Sequence, residues 1–303
     1  MFCGAGGMSS GFKLAGFSVV GVDKSEHAKR TFELNDHGTF KLMDLGKDIF
    51  TGNFDLVAGG PPCKPWSAVN QQNRRSAHDD YGLVDSFFKH VIANDPDAFL
   101  LENVLPLKSD EIMEKWVESM TRRKFSVETL NVRYSDYGAA TRRRRLLVFG
   151  TKMGEASEFV RLLKRRRRAN STVRRRIEYL KKAKRDVRDH EWPKLNTISS
   201  YGPMYRSGKY GWCILPWDDA APSFGNVMKT YVLHPDSNNG GPRRVISVKE
   251  ASLIMGFPRK FRFPQDIGMT PRYQMVADMV SPVFARAAAR TIKSLLSNDT
   301  GKR

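Results

Sequence analysis

Short apolar runs alternate with helix-like stretches through the first half of the chain. Phe17-Ser18-Val19-Val20-Gly21-Val22-Asp23 reads as a strand ending in an acid, and Phe54-Asp55-Leu56-Val57-Ala58-Gly59-Gly60 as a second ending in glycines. Ala98-Phe99-Leu100-Leu101-Glu102 reads as a third, and Arg145-Leu146-Leu147-Val148-Phe149-Gly150 as a fourth. Between them, residues 84–93 and 112–120 repeat their apolar positions at helical spacing. This alternation predicts an α/β domain with a largely parallel sheet, in which ligands sit outside the carboxyl ends of the strands. The Gly4 to Gly7 turn, Asp23, Cys63 and Glu102 all fall at or just past such ends.

The pattern changes after Gly150. Residues 156–190 are strongly basic, with Lys164-Arg165-Arg166-Arg167-Arg168 and Arg174-Arg175-Arg176, and Thr172 is placed to cap a helix through Ile177 and Leu180. Residues 193–243 are rich in Gly, Pro, Ser and Asn and read as irregular. Helical spacing returns at 247–255 and 283–296, and no internal repeat is visible. The expected organisation is a catalytic, cofactor-binding domain of residues 1–152 plus 244–303 and a smaller domain of residues 153–243.

Composition narrows the class. The chain has 303 residues, and its 51 Lys and Arg against 32 acids leave a net charge of +19, which favours a polyanionic partner. No apolar run reaches membrane-spanning length and the N-terminus lacks a signal-peptide pattern, so an intracellular, cytoplasmic protein is expected. Three scattered cysteines, Cys3, Cys63 and Cys213, exclude a disulfide framework and offer no zinc site, so no metal is expected; Cys213 reads as a packed structural residue.

Three segments carry candidate chemistry. Phe2-Cys3-Gly4-Ala5-Gly6-Gly7-Met8 is a glycine turn that lets backbone approach a nucleotide-like ligand. Asp23 is placed to accept ribose hydroxyls, and Asp44 lies where an adenine amine would reach it. Gly59-Gly60-Pro61-Pro62-Cys63-Lys64-Pro65-Trp66-Ser67 fixes an unusual backbone at a strand end and presents one thiol. A rigid, exposed turn near positive charge predicts a lowered thiol pKa. Glu102-Asn103-Val104 places a carboxylate at the next strand end, where proton sharing beside Cys63 is expected. Thr141-Arg142-Arg143-Arg144-Arg145 taken alone is a solvated basic turn.

In this order the segments resemble the DNA (cytosine-5) methyltransferases, over nearly the whole chain. Phe2 to Gly7 is similar to the family's cofactor loop, and Asp23 to its ribose-binding acid. Pro61-Pro62-Cys63 through Ser67 resembles the catalytic Pro-Cys motif, and Glu102-Asn103-Val104 the Glu-Asn-Val motif. Thr141 to Arg145 resembles Gln-x-Arg-x-Arg, which puts Arg143 and Arg145 on the family's two arginines. Residues 244–250, Arg244-Val245-Ile246-Ser247-Val248-Lys249-Glu250, are similar to the motif that closes the recognition domain, and residues 273–280 to the last motif, which returns to the cofactor pocket.

The resemblance implies a Rossmann-like S-adenosylmethionine-dependent fold with a small target-recognition domain. It implies methyl transfer to C5 of a flipped cytosine through a covalent Cys63 adduct, with Glu102, Arg143 and Arg145 as the other catalytic residues. The implied S-adenosylmethionine-binding residues are Phe2, Gly4, Gly6, Gly7, Met8, Asp23, Lys24, Asp44, Pro61, Val84, Asp278 and Val280. Residues 64–81, with Arg74 and Arg75, look like the loop that closes over DNA. Arg206, Lys209, Tyr210 and Trp212 are candidates for base readout. For the basic segment from Lys164 to Arg188, phosphate tracking and a solvated face without DNA contact both stay open. The expected partner is double-stranded DNA, bound by a monomer associated with a prokaryotic nucleoid or carried by a phage. A cognate restriction endonuclease would belong to a restriction-modification setting. The alternative is a catalytically weakened, sequence-specific DNA-binding protein on the same scaffold.

The chain also departs from the family pattern. Met1 stands directly against Phe2, where the family has several apolar residues and an Asp, so either a shortened first strand or a start further upstream is expected. Thr141 replaces Gln, Tyr81 stands where the family often has Arg, and Ala277-Asp278 replaces Gly-Asn. An Asp at that place puts a carboxylate at the cofactor's amino-acid end.

Overall fold

The computed structural model describes residues 1–67, 75–182, 187–194, 212–238 and 243–299. The expected loop residue Arg74 and the readout candidates Arg206, Lys209 and Tyr210 lie outside them, as does the side chain of Arg75.

Helix α1 (Gly7–Lys13) is followed by β1 (Val20–Asp23), α2 (Glu26–Leu34), β2 (Thr39–Leu42) and β3 (Leu56–Gly59). Then come α3 (Leu83–Asn94), β4 (Ala98–Asn103), α4 (Glu111–Arg122), β5 (Ser126–Arg133) and β6 (Arg144–Thr151). Strands β1 and β2 pair in parallel, as do β3 and β4, while β6 inserts antiparallel between β4 and β5. The sheet is therefore mixed rather than largely parallel. The cause is the direct return from β5 to β6 through the turn at 134–143, which reverses the chain without a crossover helix.

Residues 1–3 bridge the two-stranded sheet β1-β2 and the four-stranded sheet β3-β4-β6-β5. The Met1 nitrogen donates to the Ala58 carbonyl at 2.8 Å and the Cys3 N–H to Val22 at 3.1 Å. Two hydrogen bonds thus occupy the place between β1 and β3.

The rest of the chain packs on this frame. Helices α5 (Ala156–Arg165) and α6 (Val173–Ile177) are followed by the short elements β7 (Cys213–Ile214), α7 (Val227–Thr230) and β8 (Val232–Leu233). Three helices complete the fold: α8 (Val248–Ile254), α9 (Met269–Asp278) and α10 (Pro282–Asp299). Side chains set the helix starts. Thr172 accepts from the Arg175 N–H as expected, and Ser247 with Glu250 forms a reciprocal capping box on α8. One apolar core runs from Phe149 through Phe159, Ile177, Trp217 and Val232 to Phe284, so residues 153–243 share it with the sheet.

The basic segment divides between side chains tied into the fold and side chains that stay exposed. On α5, Ala156, Phe159 and Leu163 are buried while Lys164 and Arg165 face outward. Arg166 donates to Thr291, Arg174 grips Asp218 with two bonds, and Arg188 donates twice to the Phe263 carbonyl. These arginines tie elements together, and Lys164, Arg165, Arg168 and Arg175 remain exposed. Trp212, a readout candidate, is buried against Tyr231, with ring centroids 4.6 Å apart. Among the described residues no helix is long and apolar enough to cross a membrane.

The first helix is locked to the other end of the chain by glycines. A Cβ on Gly7 would stand 2.2 Å from the Val280 carbonyl oxygen, and one on Gly11 2.5 Å from Ala285 Cβ. Gly7→Ala is expected to destabilise the fold by about 1–3 kcal/mol, the usual cost of overpacking. Urea denaturation checks this through a lowered midpoint at unchanged slope.

Candidate active site

A cavity of about 790 Å³ opens at the carboxyl ends of β1, β3 and β4. Cys63 lies four residues past β3 and starts a tight turn in which the Trp66 N–H donates to the Cys63 carbonyl. Pro61 and Pro62 before the thiol and Pro65 after it restrict the backbone, and Asn103 Nδ2 holds the Pro61 carbonyl at 3.0 Å. Beyond the turn, Asp110 fastens the loop at two points. One carboxylate oxygen accepts from Trp66 Nε1 at 2.8 Å, and the other from the Tyr81 hydroxyl at 2.8 Å. The same side chain caps α4.

Glu102 is buried at the end of β4 with two donors on Oε1: Tyr134 Oη at 2.7 Å and Arg145 Nε at 3.0 Å. The five residues 141–145 alternate in direction. Thr141, Arg143 and Arg145 are buried, while Arg142 turns outward to Asp219 and the Ala220 carbonyl, and Arg144 is exposed. Strand period places both family-matched arginines on the inner face. Arg143 Nε has no hydrogen-bond partner among the described residues.

The electrostatics of Cys63 differ from the sequence expectation. Its turn is half-buried rather than exposed, and burial pushes the thiol pKa up. Arg145 and Arg143 act in the opposite sense, while Glu102 and Asp278 add to the rise. The same burial lowers the pKa of Arg143, helped by Arg145 beside it. Tyr134 is held well above its ordinary value, first by burial and then by Glu102, so its hydroxyl remains a donor.

All four residues expected to be catalytic line this cavity: Cys63, Glu102, Arg143 and Arg145. Nine of the expected cofactor residues join them. Phe2, Gly4 and Met8 come from the N-terminal turn, Asp23 and Lys24 from the end of β1, and Asp44 and Pro61 from later loops. Asp278 and Val280 come from the end of α9. Lys24 Nζ reaches Asp44 at 3.7 Å across the mouth.

Three residues do not reach the wall. Gly6 and Gly7 are buried packing positions; a Cβ on Gly6 would stand 2.3 Å from the His37 ring. Val84 is fully buried beside Val57 and Phe87, and the preceding residue Leu83 lines the cavity instead. Sequence reasoning missed Tyr134, Asp110 and the aromatic wall of Phe50 and Phe54. None of these belongs to a segment with a chemical signature, though Asn103 stood inside one.

Solved structures share this fold. The chain superposes on a prophage-encoded protein of E. coli with a TM-score of 0.73 at 21% identity, covering 98% of both chains. It superposes on the Entamoeba histolytica methyltransferase EhMeth with a TM-score of 0.71 at 16% identity, covering 98% of this chain and 96% of that one. The fold is that of a Rossmann-like α/β methyltransferase. The sequence profile of the C-5 cytosine-specific DNA methylases matches residues 1–294, and the chain belongs to that family. Among similar proteins, the Type II methyltransferase M.HgiDI of Herpetosiphon aurantiacus is 26% identical over 98% of this chain and 94% of its own length. M.AplI of Arthrospira platensis is 24% identical over 98% of this chain and 86% of its own length. The enzyme class is accordingly DNA (cytosine-5) methyltransferase, with the thiol, carboxylate and guanidinium groups of the cavity as its candidate machinery.

A raised thiol pKa leaves less thiolate at neutral pH than in a free cysteine. Alkylation of Cys63 by iodoacetamide, followed by peptide mass spectrometry, is expected to rise with pH to a midpoint above the ordinary thiol value. Arg145→Gln is expected to move that midpoint further up, because it removes the largest opposing charge.

Proposed function

We propose that the chain transfers a methyl group from S-adenosylmethionine to C5 of a cytosine in double-stranded DNA, through a covalent adduct on Cys63. The observation that carries this reading is that Cys63, Glu102, Arg143 and Arg145 line the same cavity as the glycine turn and Asp23. The target base is unreachable inside a duplex and must be flipped into the cavity.

The residues fit the methyl donor. Gly4 takes φ +51°, and a Cβ there would project into the cavity with no protein atom within 4 Å, so the glycine leaves room for a ligand. Asp23 already accepts from the Gly4 and Ser25 N–H groups at 2.9 and 3.0 Å, which fixes its carboxylate and leaves further lone pairs for ribose hydroxyls. Asp44, Lys24 and the Phe50 and Phe54 rings surround the place for the adenine, while Phe2, Met8, Pro61 and Val280 complete the wall. When bound, S-adenosylmethionine supplies an electrophilic methyl group on a sulfonium.

Cys63 attacks C6 as the thiolate, which makes C5 a carbon nucleophile. Glu102, oriented by Tyr134 and Arg145, holds N3 and shares a proton as the ring gains electrons. Arg143 and Arg145 offset the charge that develops beside the thiol. After methylation a base takes the C5 proton, the freed electron pair re-forms the C5–C6 double bond, and the C6–S bond breaks to release Cys63 as the thiolate. Recognition of sequence falls to residues 153–243, anchored to the catalytic strand through Arg142 and Asp219.

Transfer of labelled methyl groups to mixed-sequence DNA tests the reading. Cys63→Ala is expected to lower incorporation on the order of 10³-fold or more, and Glu102→Gln by roughly 10²–10⁴-fold. The wild-type chain should form a denaturant-stable adduct with DNA carrying 5-fluorocytosine. No incorporation and no adduct would remove the proposal.

A further inference from the structure

The acid at position 278 has an arrangement that helix stability does not explain. Asp278 ends α9, where the helix dipole disfavours negative charge. Its carboxylate is nevertheless held firmly. Gln274 Nε2 donates to both oxygens at 2.9 Å, and Asn226 Nδ2 donates to Gln274 Oε1 at 3.0 Å, which fixes the way the Gln274 amide faces. The side chain is exposed to the cavity, yet protein surrounds it closely enough that burial raises its pKa. Among the described residues it has no ion pair, though Arg143, Lys64 and Arg145 lie near enough to favour its charged form. Its own charge in turn reaches Cys63. The result is an oriented carboxylate that faces open cavity space in the neighbourhood of the nucleophile.

Resting on the methyl-transfer reading above, the chemistry of that space follows. Cys63 attacks C6, and the methyl group must arrive at the adjacent atom C5. The sulfur that carries it therefore comes within about one base-ring width of the thiol, the region that the charge of Asp278 reaches. That sulfur is cationic in the donor and neutral in the product. We propose that Asp278 is a charge-selecting residue: it favours the sulfonium of S-adenosylmethionine over the neutral thioether of S-adenosylhomocysteine. The pocket then holds the donor and releases the spent product on the basis of a single charge. An Asn at this place offers a dipole but no net charge and lacks this selection.

Both ligands carry the same amino-acid end and the same adenosine. Any effect of Asp278 on those shared groups changes both affinities alike, so the ratio of the two dissociation constants isolates the sulfonium. Titration calorimetry on the whole chain, with S-adenosylmethionine and S-adenosylhomocysteine in turn, measures that ratio. The wild type is expected to prefer the donor, and Asp278→Asn to reduce the preference about tenfold, the size of one partly screened charge contact. A pH series on the unaltered chain gives a second readout. The groups facing Asp278 are Cys63 and Lys64 on the catalytic turn, Arg143 and Arg145 from the β6 side, and neutral Gln274 on its own helix. Asp278 is the one carboxylate among these, and the Cys63 pKa is raised. The preference should shrink as pH falls through the raised carboxyl pKa, and remain flat in Asp278→Asn. An unchanged ratio in the variant, or equal binding of both ligands by the wild type, overturns the charge selection while leaving the methyl-donor reading intact. Failure of the wild type to bind either ligand overturns both.

Discussion

Everything at the catalytic end depends on the antiparallel register of β4 and β6. Glu102 lies opposite Leu147, so Arg145 is its diagonal neighbour on the same face, and the 3.0 Å contact between them follows from that offset. A slip of one residue would turn Arg143 and Arg145 outward and bring Arg142 and Arg144 in. The polar price of a wrong register would be high, because Glu102 is buried and a carboxylate left there without partners costs several kcal/mol. Further along β6, Leu147 and Phe149 continue the Arg145 face into one apolar cluster, and Leu146 and Val148 enter another on the opposite face. With both faces apolar from residue 146 onward, the Glu102–Arg145 contact is what selects the alignment.

The cofactor end depends on a different closure, between the two extremes of the chain. Gly7 admits the Val280 carbonyl and Gly11 admits Ala285, so α1 lies directly on the start of α10. This contact brings the end of α9 to the mouth of the glycine turn and places Asp278 and Val280 in the same cavity as Gly4. Residues separated by more than 270 positions thus meet because two glycines leave out their side chains.

What the sequence disclosed follows the strength of each local signal. The strands with continuous apolar runs, β3, β4 and β6, were legible because both their faces are covered. Strands β2 and β5 were not, because β2 is a four-residue exposed edge and β5 mixes Glu128, Asn131 and Arg133 with its apolar residues. Helix α5 was read only as charge, since Arg161, Lys164 and Arg165 run straight into Arg166-Arg167-Arg168 and mask the spacing of the three residues that anchor it. In the site, Cys63, Glu102, Arg143 and Arg145 stood in motifs and converge on one cavity. Tyr134 and Asp110 act through contacts across 32 and 44 residues of sequence, and nothing local distinguishes them from core and surface residues. Val84, named from the resemblance, is fully buried, and it is the adjacent Leu83 that lines the cavity.

The raised pKa of Cys63 shows why the two ends need one another. Burial favours the neutral thiol, and the opposing influence comes from Arg145, which is also bonded to Glu102, and from Arg143. Asp278 and Glu102 push the thiol further up. The balance is therefore set by the net charge of the cavity rather than by any one partner. Positive charge entering beside Asp278 offsets that carboxylate and acts on Cys63 in the same direction as the two arginines. Negative charge in the same place acts against them. Charge at that part of the cavity therefore bears on the nucleophile electrostatically, without any movement of the backbone between them.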